Sequence, residues 1–260
     1  MNQIISSFSA ACLKAEVEAN DSAFSAPRHA MGGSKMTEAL AGGLQLYSFF
    51  NSSTSYRVRI ALALKGLDHA YRGIDIRTGA QRDPAYVAGI NPSAAVPALV
   101  LDDGAERVTL GQSLAILDYL DARFPEPRLI PADPLLRARV LEVSDAIACD
   151  IHPVNNLRIL RYLQDRLGVT SAQKDAWYRH WVAEGLGAVE RLLLRADAGP
   201  FCFGPAPTLA DCCLIPQVAN AQRMGCDLTP YPTIMQIYHH AMAQPAFQAA
   251  APERQPDAVA

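Results

Sequence analysis

The sequence predicts a small α/β domain with a mixed sheet, followed by an all-helical domain. Three observations carry that prediction. Between residues 44 and 124, short alternating runs interleave with helical periodicity in the order β-α-β-α-β-β-α. Residues 125–134 (PEPRLIPADP) then place four prolines in ten residues, the composition of an interdomain connection. Beyond it every periodic segment is helical. With 260 residues, half of them apolar, the chain has material for two modest cores.

Residues 1–43 are rich in Ser, Ala and Gly without sustained periodicity, and read as a disordered or weakly ordered extension. Within them, residues 4–17 have the pattern of a short amphipathic helix or a weak transit peptide, despite Glu16; Met31 and Met36 are alternative starts. No basic region precedes Ile4 and Ile5, so a signal peptide is a poor fit. Residues 44–48 alternate as a strand does. A polar loop at 51–54 leads into a helix over 56–65, with Gly66 as its stop. A second strand is expected at 70–76 and a short helix at 84–89, ended before Asn91 and Pro92. Strands at 97–101 and 107–110 flank the turn Asp102-Asp103-Gly104. A helix over 114–124 stops at Pro125, which closes a first domain at 44–124. Residues 125–133 form the linker.

The helical domain, 134–260, opens on Asp133 and Pro134, a good cap followed by proline at the first helical position. Its helices are expected at 134–149, 154–167, 171–195, 208–224 and 232–243. Thr208 and Asp211 form a capping-box variant.

Composition excludes several functions. A net charge of −3 (23 basic, 26 acidic residues) argues against a chain dominated by nucleic-acid binding, and no apolar run approaches a membrane span. Six cysteines occur without a CxxC or zinc-finger spacing, so no metal site is expected, and a reducing compartment, the cytoplasm, fits them. Adjacent Cys212 and Cys213 read as small core hydrophobes. No GxGxxG follows any strand, which disfavours a dinucleotide fold.

Three features fall at one end of the small sheet. Ser52, Ser53 and Thr54 stand where a helix N-terminus favours an anion, although taken alone the loop is explained more simply by capping. Val96-Pro97 opens the third strand, where a trans bond is ordinary and a cis bond would leave the Val96 backbone free for a peptide-like ligand. Gln112 and Ser113 open another helix, either as a cap or as a carboxylate site. Together they describe a cradle for a short anionic peptide such as glutathione.

The run Ser52-Ser53-Thr54-Ser55-Tyr56-Arg57-Val58-Arg59-Ile60-Ala61-Leu62 resembles the SSCxWRVRIAL signature of zeta-class glutathione transferases, the maleylacetoacetate isomerases. Asn91-Pro92, Val96-Pro97, Gln112-Ser113, Asp211, Pro216-Gln217-Val218, the stretch from Asp227 to Pro232, and Gln255-Pro256-Asp257 extend the resemblance over residues 44–257. It implies the glutathione transferase fold, a thioredoxin-like domain and then a helical one, in a homodimer. It also implies glutathione as cofactor and a small diketo acid as substrate, with neither nucleic acid nor membrane as partner. Carried over, Ser52 binds the glutathione sulfur, with Ser53 and Thr54 beside it as catalytic residues. Arg57, Val96, Pro97, Gln112, Ser113, His152 and Asn156 hold glutathione. Arg158 and Arg223 hold the substrate carboxylates. The sequence departs from the class at Asn51, where Arg is usual, and at Thr54, where Cys is usual. Thr at that position also occurs in maleylpyruvate isomerases, whereas Trp177 through Trp181 look more like the bacterial maleylacetoacetate isomerases.

Isomerising a cis enone acid requires temporary loss of its C=C π bond, which a thiolate achieves by adding and then leaving. No cysteine lies in the hydroxyl loop, so an external thiol, glutathione, fits. The expected activity is conversion of maleylacetoacetate to fumarylacetoacetate in tyrosine and phenylalanine breakdown. Maleylpyruvate isomerisation in gentisate degradation, transfer of glutathione to α-haloacids and non-catalytic glutathione binding are the alternatives.

Overall fold

Four strands form one mixed sheet in the order β2-β1-β3-β4, with β1 at Gly43–Ser48, β2 at Ala70–Gly73, β3 at Ala98–Asp102 and β4 at Arg107–Gly111. The structure, a computed structural model, describes residues 43–102, 106–196 and 198–258. The expectations for residues 1–42 and for the turn at Asp103 and Gly104 lie outside these. β1 runs parallel to β2, with Leu46 opposite Tyr71, and antiparallel to β3, with Leu46 opposite Leu99. β3 and β4 are antiparallel. Alternation buries Leu44, Leu46 and Ser48 of β1, whereas β3 is buried on both faces from Ala98 to Leu101, as central strands are.

Helices α1 (Ser53–Leu64), α2 (Pro84–Gly89) and α3 (Ser113–Arg123) interleave with the sheet. Then follow α4 (Pro134–Asp145), α5 (Leu157–Asp165), α6 (Ser171–Arg195), α7 (Leu209–Arg223), α8 (Pro232–Met242) and α9 (Pro245–Ala250). None of the described helices is long and apolar enough to cross a membrane. Helix α1 packs against α3, α7 and α9, and its Tyr56, Val58, Ile60 and Leu62 join one continuous core with α7. α7 is buried almost all round, Cys212 and Cys213 included, so their core reading holds.

The connection between α3 and α4 is pinned in place. Lys65 and Asp121 form a buried ion pair at 2.9 Å. Lys65 Nζ also donates to the carbonyls of Phe124 (2.7 Å) and Pro127 (2.8 Å), while Asp121 accepts from the N–H groups of Leu129 (2.7 Å) and Ile130 (3.2 Å). Because all three Lys65 protons and three of the Asp121 lone pairs are used, with Arg128 3.9 Å from Oδ2, the pair tolerates burial. Leu129 and Ile130 are themselves core residues.

Several boundaries differ from expectation. β1 starts one residue early, at Gly43, and the second strand stops at Gly73 instead of 76. There Asp75 turns the chain by accepting the Arg77 N–H at 2.8 Å. Helix α1 begins at Ser53, so Ser53 and Thr54 belong to its first turn and only Ser52 caps it. The helix expected over 134–149 leaves α geometry at Asp145 and continues as a π-helical turn, Ala146–Ile151. A 3-10 turn, Pro153–Asn155, follows before Asn156 caps α5, so that helix starts at Leu157 and not at 154. α9 was not expected, since Phe247 is the one large apolar residue in it.

Candidate active site

The turn from β1 into α1 is held from three sides. Arg59, buried in α1, donates to the carbonyls of Phe49 (3.3 Å) and Phe50 (2.9 Å), to Ser48 Oγ (3.2 Å) and to the Ala250 carbonyl (2.8 Å). Burial brings its pKa down to about 10, so it stays charged. Asp257 accepts the Phe50 N–H (3.1 Å) and the Tyr71 hydroxyl (2.6 Å), so the C-terminal segment locks the same turn.

On this base stands the hydroxyl triplet. Ser52 Oγ accepts the Ser55 N–H at 3.2 Å, the N-cap bond. Thr54 Oγ1 donates to the Val96 carbonyl at 3.1 Å, which leaves it to accept from Ser52 Oγ at 3.0 Å. The Ser52 proton is thus the mobile one and can turn to an incoming anion. No acidic residue in the first turn neutralises the positive end of α1. Val96 is positioned by Asn91, a buried side chain that donates to the Ala95 carbonyl at 2.8 Å and accepts the Ser93 N–H at 3.0 Å. The Val96–Pro97 bond is cis.

Ser53 meets the helical half of the chain. His152 Nδ1 lies 3.1 Å from Ser53 Oγ, and Asn156 Nδ2 lies 3.2 Å from His152 Nε2. Asn156 Oδ1 accepts the Arg158 N–H at 3.1 Å, which turns the amide NH₂ toward the imidazole. Nε2 must therefore accept, so Nδ1 carries the proton and donates to Ser53, a tautomer assigned from the network. Burial first, then the charges of Arg57 and Arg158, push the His152 pKa down to about 3. Neutral His152 leaves the Ser53 hydroxyl free to donate outward.

Two cavities lined in part by α5 open on this triplet, beside a third of about 320 Å³ lined by Ser52, Ser53, Arg223 and Glu253 among others. The first, about 460 Å³, is lined by Ser52, Thr54, Arg57, Val96, Gln112, Ser113, His152, Asn156 and Arg158, among others. Here Arg57, 2% exposed, donates Nη1 to Ser113 Oγ at 3.2 Å, while its Nε and Nη2 have no partner. Gln81 Oε1, on the same lining, is also unpartnered. A buried guanidinium with spare donors calls for an anion. Gln112 turns the chain into α3 at φ +64° and ψ +118°, a sparsely populated conformation that costs a non-glycine residue about 1–3 kcal/mol. The second cavity, about 390 Å³, shares Ser52 and His152 with the first and adds Asn51, Ser53, Tyr178 and Arg223. The largest cleft, about 980 Å³, lies behind α1, is mostly apolar and shares no lining residue with either.

The electrostatics are one-sided. Arg57, Arg82, Arg158 and Arg161 line the first cavity and Arg77, Arg161, Lys174 and Arg223 the second, without one Asp or Glu in either lining. The structure thus gathers all the expected site residues except Pro97, which lines neither cavity. It also separates the two expected substrate cations: Arg223 lines the second cavity, but Arg158 only the first. Sequence reasoning missed Arg77, Arg82, Arg161, Lys174, Gln81 and Cys149. Arg161 was within reach, because it follows Arg158 by one helical turn of α5 and shares its face. Cys149 lines the first cavity, yet desolvation and then Asp145 and Asp150 raise its pKa, so it is no ready thiolate.

Residues 51–123 match the family model of the glutathione S-transferase N-terminal domain. The chain is 47% identical over 216 residues to a probable maleylacetoacetate isomerase of Vibrio cholerae, covering 83% of this chain and 98% of that one. Among solved structures, the maleylpyruvate isomerase of Pseudomonas aeruginosa PAO1 is 54% identical, with a TM-score of 0.70 over 82% of this chain and 98% of that one. The maleylacetoacetate isomerase of Anaeromyxobacter dehalogenans, solved with bound GSH, is 42% identical, with a TM-score of 0.76 over 84% and 98%. The same enzyme was also solved with dicarboxyethyl glutathione and citrate in the active site. The chain belongs to the maleylacetoacetate isomerase family, the zeta class of glutathione transferases.

Proposed function

We propose that this protein isomerises maleylacetoacetate to fumarylacetoacetate with glutathione as cofactor. The observation that carries the reading is the hydroxyl-bearing start of α1, which stands between two cationic cavities whose linings hold no carboxylate. The first cavity suits glutathione: spare Arg57 donors and Ser113 meet its γ-glutamyl carboxylate, and the Val96 backbone meets its cysteinyl peptide group. Bound there, glutathione supplies a thiolate that forms an S–C bond to the cis alkene, moving the π pair to the ketone oxygen, and leaves again once the bond has turned. The Ser52 hydroxyl and the N-terminus of α1 favour the thiolate over the thiol. Ser53, fixed by His152, aims a second proton at the same place. Cations of the second cavity hold the acidic ends of the substrate.

We further infer a homodimer, which exposed Leu135 (68% exposed) and Leu136 at the start of α4 support as a contact surface. A cytoplasmic setting is in keeping with five free cysteines among the described residues. Light scattering checks the first point.

The test is loss of enone absorbance with maleylacetoacetate and with maleylpyruvate, each with and without glutathione. Glutathione-dependent turnover of the first supports the reading, and preference for the second moves the protein to gentisate degradation. Replacing Ser52→Ala should lower kcat by roughly a hundredfold with a much smaller change in glutathione affinity. A variant at the wild-type rate refutes the role of Ser52.

A further inference from the structure

The four cations of the second cavity are not equivalent. Arg77 is paired with Asp75 at 2.9 Å, and its guanidinium lies over the Phe49 ring at 5.0 Å. Lys174 is paired with Asp175 at 3.3 Å. Arg161 and Arg223 have no carboxylate partner among the described residues. Arg161 donates Nη2 to the Arg77 carbonyl at 2.8 Å, and Arg223 donates Nη2 to Asn220 Oδ1 at 2.9 Å. Asn51, in the same lining, brings no charge. Two unneutralised guanidinia match a substrate with two carboxylates.

Their places differ. Among the described residues Arg161 is the one cation that lines both cavities, whereas Arg223 does not reach the first. On the isomerase reading above, sulfur enters from the first cavity and substrate fills the second, so the attacked carbon lies at their junction. That carbon carries one of the two carboxylates. We infer that Arg161 binds the carboxylate on the carbon that sulfur attacks, and so determines specificity for acids of this type. The Arg77 carbonyl orients the guanidinium by holding one nitrogen, and the others remain to grip the carboxylate. Arg158, exposed and on the first cavity alone, does not share this role.

S-(1,2-dicarboxyethyl)glutathione is the probe, because one of its carboxylates sits on the carbon bonded to sulfur. Its affinity is measured by calorimetry beside that of glutathione, in the wild type and in Arg161→Gln. The expected result is a loss of roughly ten- to hundredfold for the dicarboxyethyl compound beyond any loss for glutathione, the range for a charge-assisted pair. In turnover, the variant should lose a similar factor in kcat/KM on both maleylacetoacetate and maleylacetone, since both keep that carboxylate. Equal affinities in variant and wild type overturn the inference, and so do equal losses for the two ligands. An effect confined to maleylacetoacetate would assign Arg161 to the distal carboxylate and overturn it as well. If the wild type turned over neither substrate, the isomerase reading would fall, while the binding comparison would still decide the role of Arg161.

Discussion

Acidification from about pH 7 to about pH 5 protonates an ordinary histidine but leaves His152 neutral in the fold, and the mismatch is measurable as lost stability. His152 has a folded pKa of about 3 against 6.5 in the unfolded chain. Its Nε2 accepts from the Asn156 amide, so protonation would set two donors head to head at 3.2 Å, in a desolvated place beside Arg57 and Arg158. The folded pKa is the lower one, so the unfolded state binds the extra proton. Stability is therefore full above 6.5 and falls as the pH drops toward 3. At about pH 5 the unfolded histidine is nearly all protonated and the folded one nearly none. With ~1.4 kcal/mol per pH unit, the loss between the two conditions is about 2 kcal/mol. It depends on the unfolded pKa and hardly on the folded value, provided that value stays well below the working pH. Urea unfolding of the wild type and of His152→Gln at both conditions isolates this term, because the other histidines are common to both proteins. The wild type should lose about 2 kcal/mol more than the variant on acidification. Identical pH dependence in the two would show that His152 titrates as it does in the unfolded chain, and would refute its being held neutral by the site.

Two further substitutions test how the site is supported. Lys65→Met removes the buried cation of Asp121 and leaves it only the half-exposed Arg128 at 3.9 Å, and should cost about 3–5 kcal/mol in urea unfolding, although Lys65 lines neither cavity. A cost under about 1 kcal/mol would mean that the pair behaves as a surface one. Gly185→Ala drives a methyl group into the side chain of Ile151, next to His152 in sequence. Overpacking of this kind should cost about 1–3 kcal/mol and lower the melting temperature, and glutathione affinity should fall with it, because Ile151 ends the π turn that carries His152.

Most of the glutathione-binding half could be read from the sequence because its signals are local. β1 announces itself by alternation, α1 by its hydroxyl cap and Gly66, and the α3 start by Gln112 and Ser113. What the sequence hid depends on distant residues or on backbone that leaves regular geometry. Lys65 and Asp121 look like two surface charges until the fold brings residues 56 positions apart to 2.9 Å. The π turn at Ala146–Ile151 keeps a helical apolar pattern, so periodicity runs through it, yet it carries His152 to within 3.1 Å of Ser53, 99 positions earlier. Arg161 shows the same limit at the site itself. Its helical spacing from Arg158 hints at a shared face, but the approach of the Arg77 carbonyl, 84 positions away, is what marks it as a wall of the cavities. On the proposed reading the motif marks the cofactor end, where the chemistry is shared across the class. The substrate end is built from side chains that the fold assembles, and there Asn51 has already lost the charge that the class pattern supplies. A cation reaching the same cavity from α5 is how this chain can keep a site for a diacid without it, and that makes Arg161 the residue on which its substrate preference turns.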